Sequence, residues 1–148
     1  MKKGAVLLLT ALVAFSACGE GKTANKKKQK AEIDPALYEL IVKKDLVVGT
    51  GKEAGKNMRI AVHYVGKLDG PDGKEFDNSR KGSTPFIFNL GTGQVIPGWD
   101  YGVEGMRAGG IRALTIPPEL AYGDRQIGNI IPKNATLYFE VELIEVFH

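Results

Sequence analysis

The chain has 148 residues, with 20 Lys and Arg against 17 Asp and Glu, two histidines and a single cysteine. One cysteine excludes an intramolecular disulfide, and two histidines, one of them the terminal His148, leave little for a histidine-built metal centre. The net charge of +3 is a poor argument for nucleic-acid binding, because two lysines fall in the first 17 residues and five in the next 15, leaving a mildly acidic remainder.

The opening "MKKGAVLLLTALVAFSACGEGK" places Lys2 and Lys3 before the apolar run Ala5–Phe15. That run is well short of the roughly 20 residues a spanning helix needs, and it has the form of a secretory signal. It ends in "FSAC", which resembles the lipobox of bacterial lipoproteins, with Phe15 where leucine is usual. The expectation is a signal peptide over 1–17 and a lipidated Cys18 that tethers the mature protein to a membrane of the cell envelope. Gly19, rather than aspartate, after the cysteine favours the outer membrane over inner-membrane retention. Residues 18–32 continue as "CGEGKTANKKKQKAE", too polar and lysine-rich to offset chain entropy by burial, and are read as a flexible spacer. Residues 33–148 are then one domain around one core.

Within that domain "DPALYELIV", 34–42, is expected to form a short helix with Asp34 as N-cap and Pro35 at the first helical position. "LVVGTG" reads as a short strand ending in a glycine turn. "MRIAVHYVGKL" alternates, with Ile60, Val62 and Tyr64 on one face and Ala61, His63 and Val65 on the other. "DGPDGKEFD" is turn chemistry running into a brief extended piece, and "PFIFNL" sets Phe86, Phe88 and Leu90 on one face. "IPGWDYGVEGM" has the Pro start and Gly stop of a helix of two to three turns, with Trp99, Val103 and Met106 as its apolar stripe. "IRALTI" is a strand stopped by Pro117 and Pro118. "ATLYFEVELIEVF" is the clearest strand, with Leu137, Phe139, Val141 and Leu143 set against Thr136, Glu140 and Glu142. The pattern predicts an α+β fold in which an antiparallel sheet is covered by one short helix.

The residues offer little conventional chemistry. The acidic "DGPDGKEFD" lacks the spacing of an EF-hand loop, "GTGKEAGKN" fits no phosphate-binding motif, and neither Ser79 nor Ser83 lies in a nucleophile elbow. No metal and no cofactor is expected, and His63 is read as structural. What the sequence does supply is aromatic side chains: Tyr64, Phe76, Phe86, Phe88, Trp99, Tyr122 and Phe139. An aromatic cup with few polar groups suits a compact apolar ring.

Five segments in fixed order carry a resemblance: "VHYVGKL" (62–68), "GKEFDNSR" (73–80), "PFIFNLGTGQVIPGWDYGVEGMRAGG" (85–110), "IPPELAYGD" (116–124) and "IIPKNATLYFEVELIEV" (130–146). Together they resemble the FK506-binding family of peptidyl-prolyl cis–trans isomerases over most of the folded part. The resemblance implies an antiparallel five-stranded sheet wrapped around one short helix, with a pocket between them. It implies Trp99 as the pocket floor and Tyr64, Phe86, Val95, Ile96 and Phe139 as walls. Phe76 and Ile131 would add apolar surface, and Asp77 and Tyr122 a polar rim. The Ile96 N–H would bind a substrate carbonyl, and Arg80 would pair with Asp77 and orient it. The loop "AYGDRQIGNIIP" departs from many relatives at Ile127, and Asp124, Arg125 and Gln126 make the entrance more polar.

The implied activity is isomerisation of X–Pro bonds in proline-containing polypeptides, with FK506-class macrolides as further ligands. Catalysis would proceed by preferential binding of the twisted amide, without a covalent intermediate. Asp77, Tyr122, Ile96 and Trp99 would carry it, in a monomer that helps envelope proteins fold. The alternative is a chaperone or binding module using the same pocket with negligible turnover.

Overall fold

The computed structural model describes residues 33–147, so the expectations for the signal peptide, Cys18 and the spacer lie outside the described residues. Six strands follow in chain order: β1 (Val42–Val47), β2 (Arg59–Leu68), β3 (Glu75–Asn78), β4 (Phe86–Asn89), β5 (Ile111–Ile116) and β6 (Leu137–Val146). One α-helix, α1 (Pro97–Gly102), lies between β4 and β5. All the strand pairs are antiparallel, in the order β1-β5-β6-β2-β3, with β4 also on β2.

The sixth strand follows from an interruption rather than from a new layer. β4 pairs with the first part of β2, from Arg59 to Val62, and β3 with the later part, from Val65 to Lys67. Both therefore lie on the edge of β2 that faces away from β6, as two pieces of one broken fifth strand. The break contains a 3-10 turn, Ser79–Lys81, capped by the Asn78 side chain accepting from the Arg80 N–H at 2.9 Å.

The central strands bury the residues that the alternation predicts. Leu137, Val141 and Leu143 are fully buried and Phe139 nearly so, and Ile60 and Val62 face them from β2. Ala61 is buried as well, at the point where the β2–β6 register shifts, so the two-residue period is lost locally.

Two elements differ from expectation. Asp34 caps its segment, accepting from the Ala36 N–H at 3.0 Å, but Pro35–Leu40 is a 3-10 helix, and β1 begins at Val42, earlier than the "LVVGTG" reading. The second is α1, which has six residues and ends at Gly102, short of two full turns. Gly105 adopts φ +84, its N–H goes to the Ala54 carbonyl at 2.9 Å, and the chain turns away to bridge Arg107 to Glu53. Trp99, Val103 and Met106 are nevertheless all buried.

The helix lies close against β5 because of two glycines. A Cβ on Gly98 would stand 2.3 Å from Ile116 Cγ2, and one on Gly102 would stand 2.8 Å from Leu114 Cδ1. Spaced four apart, these residues share one helix face, and their lack of side chains brings the backbone onto the sheet. Trp99, one position on from Gly98, meets rings from β2, β4 and β6.

Candidate active site

The sheet's concave face and the N-terminal turn of α1 enclose an open cavity of about 200 Å³. β2 supplies Tyr64, β3 supplies Phe76 and Asp77, β4 supplies Phe86, and β6 supplies Phe139. The segment entering α1 contributes Gln94, Val95 and Ile96, α1 contributes Trp99, and the loop after β5 contributes Tyr122.

Trp99 is 4% exposed and holds the centre of an aromatic cluster. The Tyr64 ring stands at 88° to it with centroids 4.9 Å apart, and the Phe139 ring at 87° and 5.2 Å. Phe86 and Phe88 complete the surround at 6.2 and 5.8 Å. Edge-to-face contacts of this kind fix ring planes as well as burying area. Gly66 makes room for the wall: a Cβ there would stand 2.8 Å from both Phe139 Cε1 and Phe76 Cζ. An isolated glycine on the inner face of a strand is the sequence signal of such a close approach.

The polar groups are few. The Tyr64 phenol donates to Asp77 Oδ2 at 2.6 Å, and Asp77 Oδ1 accepts the Asn78 N–H at 2.8 Å. Burial pushes the Tyr64 phenol well above the usual tyrosine range, and the hydrogen bond to Asp77 and its charge add to the effect. Tyr122 is raised too, by burial first and then by the charge of Asp77. Ile96 is the N-cap of α1, and its carbonyl accepts from the Trp99 N–H at 2.9 Å. Among the described residues no protein acceptor takes the Ile96 N–H.

A buried carboxylate supports the cavity from behind. Asp100 is 6% exposed and accepts the Gly91 N–H at 2.8 Å and the Gly93 N–H at 2.9 Å. Both glycines have positive φ, +77 and +76, so consecutive turns aim their amides at one carboxylate. The loop so held runs directly into Gln94, Val95 and Ile96. Sequence reasoning missed Asp100, Gly66 and Gln94. The two glycines flanking Thr92, followed by an acidic residue on a short helix, were the available signal for Asp100.

Two expected neighbours are placed elsewhere. Arg80 pairs with Glu142 on β6, not with Asp77. It projects from the 3-10 turn that Ser79 fastens to β2, with Ser79 Oγ accepting the Tyr64 N–H at 2.8 Å and lying 3.1 Å from His63 Nδ1. Glu142 is the register partner of His63, so Arg80 reaches the outer face of the sheet while Asp77 lies at the cavity. Ile131 is 5% exposed and does not line the cavity. Its backbone exchanges hydrogen bonds with Ile127 at 2.9 and 3.2 Å, closing a tight turn whose tip exposes Ile130 instead.

An antiparallel sheet packed on a short helix, with an aromatic cup and one carboxylate, defines a binding site suited to a compact apolar group. Comparison with known proteins makes the class specific. Residues 51–144 match the family model described as FKBP-type peptidyl-prolyl cis–trans isomerase. An FK506-binding protein of Neisseria meningitidis serogroup A is 50% identical over 107 residues, spanning 72% of this chain and 96% of that protein. FK506-binding protein 2 of Yarrowia lipolytica is 42% identical over 140 residues, 94% of this chain and 92% of that protein. The crystal structure of AtFKBP13 matches with a TM-score of 0.65 at 44% identity, covering 71% of this chain and 91% of that one. The chain belongs to the FKBP-type peptidyl-prolyl cis–trans isomerases, and its reaction is the interconversion of cis and trans X–Pro bonds.

Proposed function

We propose that this isomerase works at a bacterial cell envelope, tethered through a lipidated Cys18, and that it accelerates folding of proline-containing envelope proteins. The observation that supports the catalytic part is Trp99, at 4% exposure, lining a cavity in which Asp77 is the one charged lining residue among the described residues.

A planar X–Pro amide faces a rotation barrier of about 18–20 kcal/mol because twisting removes its resonance. At the twisted midpoint the C–N bond is nearly single and the amide carries less charge separation than when planar. The pyrrolidine ring stacks over Trp99, and the aromatic walls exclude water from the carbonyl. That environment disfavours the polar planar form relative to the twisted one, which is differential binding of the transition state. The Ile96 N–H and the Tyr122 hydroxyl hold the flanking peptide and fix the axis of rotation. Asp77, oriented by Tyr64, sets the field at the turning carbonyl. FK506-class macrolides occupy the same cavity.

Isomerisation takes about 10–100 s uncatalysed and limits the folding of chains with mis-set prolines. The anchor fits a function among proteins emerging into the envelope, where the isomerase acts as a monomer. The activity is tested by following cis-to-trans conversion of an Ala-Leu-Pro-Phe peptide: acceleration supports the proposal, and the spontaneous rate overturns it. Labelling cells with radioactive palmitate tests the anchor. Incorporation into wild type and its loss in Cys18→Ser is the expected result; equal labelling, or none, rejects it.

A further inference from the structure

We infer that Asp77 is an uncompensated anion at the cavity mouth and makes the enzyme select X–Pro bonds flanked by a cationic residue. The inference rests on reading the cavity as the substrate site. Three basic side chains lie within four residues of Asp77 in sequence; Lys74 forms no ion pair with it, and Arg80 and Lys81 are both committed elsewhere. Arg80 binds Glu142 on the outer face of the sheet, and Lys81 Nζ lies 2.7 Å from Glu75 Oε1. Among the described residues no cationic side chain lies within ion-pairing distance of Asp77.

The groups that do touch the Asp77 carboxylate are neutral. Tyr64 donates to one oxygen and the Asn78 N–H to the other, so the charge is oriented but not cancelled. Asp77 is exposed, which leaves it reachable from solvent as well as from the cavity. On the loop after Tyr122, Asp124 and Arg125 stand side by side with opposite signs and add little net field. A substrate side chain bearing an ammonium or guanidinium near the proline therefore meets one unopposed negative charge, whereas a carboxylate in its place is repelled. The same field favours encounter with cationic chains.

The test compares three peptides that differ only in the residue before proline: Lys, the uncharged norleucine, and Glu. At low ionic strength the Lys peptide is expected to exceed the Glu peptide in kcat/KM by about five- to tenfold, and the ratio should approach one in about 0.5 M salt as the charges are screened. Turnover of the norleucine peptide separates the two levels of the argument, since its failure would reject the cavity as an active site whatever the charge preference. Asp77→Asn should reduce turnover of all three and bring the Lys-to-Glu ratio to about one. If that variant turns over too slowly, peptide affinities read from quenching of Trp99 fluorescence give the same ratio. Arg80→Gln should leave the ratio as in wild type, because Arg80 faces Glu142. A low-salt ratio within about twofold of one, a ratio that persists in Asp77→Asn, or one that changes in Arg80→Gln overturns the inference.

Discussion

The Tyr64 phenol donates to Asp77 Oδ2 across 2.6 Å, and the same Tyr64 ring stands edge-on to Trp99 at 4.9 Å. One side chain thus ties the polar edge of the cavity to its apolar floor. It can do so because β2 presents Tyr64 on its inner face while β3, paired in register at Gly66 and Asp77, brings the carboxylate alongside.

Tyr64→Phe keeps the ring contacts and removes the donor to Asp77. A roughly tenfold fall in kcat/KM is expected, in line with a hydrogen bond to a charged group at a partly exposed site. The substitution also has a pH signature. The folded-state pKa of Tyr64 is raised above 10.0, so the phenol's contribution to stability is complete below pH 10 and is lost as pH rises above that value. Urea midpoints at about pH 8 and pH 11 should therefore differ less in Tyr64→Phe than in wild type. Equal losses in both proteins would show that Tyr64 carries no such linkage.

Trp99 is the only tryptophan, so its fluorescence reports on the cavity alone. Trp99→Ala removes the centre of the aromatic cluster and should destabilise the domain by about 3–5 kcal/mol. Trp99→Phe preserves a ring and should stay folded, with a raised KM for prolyl peptides. A Trp99→Phe enzyme with wild-type KM would place the proline ring elsewhere.

The alternating strands were legible because burial on one face of a sheet imposes a period of two, which β6 keeps from Phe139 to Leu143 with Glu140 and Glu142 less buried, although Tyr138 just before is buried too. The aromatic lining was legible by the same rule, since Tyr64, Phe86 and Phe139 lie on strand positions that point inward. What the pattern does not encode is how a chain leaves an element. The length of α1 depends on Gly105 adopting positive φ and bonding to Ala54, about fifty residues away in sequence. The direction of Arg80 depends on a 3-10 turn that sends it across β2, and sequence proximity to Asp77 suggested the opposite. The broken edge of β3 and β4 has the same origin.

Asp100 is the one buried charged residue of the described core, and its two acceptors fix the Gly91 and Gly93 amides. Asp100→Ala leaves both N–H groups without a protein partner, with an expected destabilisation of about 1–3 kcal/mol. Because the loop leads into Gln94–Ile96, KM should rise with a smaller change in kcat. Amide exchange at Gly91 and Gly93 should quicken more than exchange in β6. Uniform acceleration across the domain would mean that Asp100 acts on global stability only.

Gly98 and Gly102 are both required by the approach of α1 to β5, and Gly98 is the tighter. Gly98→Ala places a methyl 2.3 Å from Ile116 Cγ2, so either the helix or β5 must shift. Overpacking of this kind costs about 1–3 kcal/mol, outweighing the better helix propensity of alanine. The denaturation midpoint should fall, and activity should fall with it because Trp99 is the next residue. An unchanged midpoint would mean that α1 is not seated on β5 through this glycine.

The outer end of the sheet gives the acid-side counterpart. Arg112 on β5 donates Nε to Asp45 Oδ1 at 2.5 Å and Nη2 to Asp45 Oδ2 at 3.2 Å, while its Nη1 reaches the Gly102 and Glu104 carbonyls at 2.9 and 3.1 Å. One guanidinium therefore fastens the edge strand β1 and the chain leaving α1. The hydrogen bond from Arg112 holds the Asp45 carboxyl below its ordinary value of 3.8. A depressed folded pKa means that the stabilisation is present above about pH 4 and disappears as pH falls through the folded value. Because the pair is partly exposed, its worth is at most about 1 kcal/mol. Wild type should exceed Asp45→Asn by that amount at neutral pH, and the two should converge near pH 2. A difference that persists in acid would assign the stabilisation to packing of β1 rather than to the ion pair.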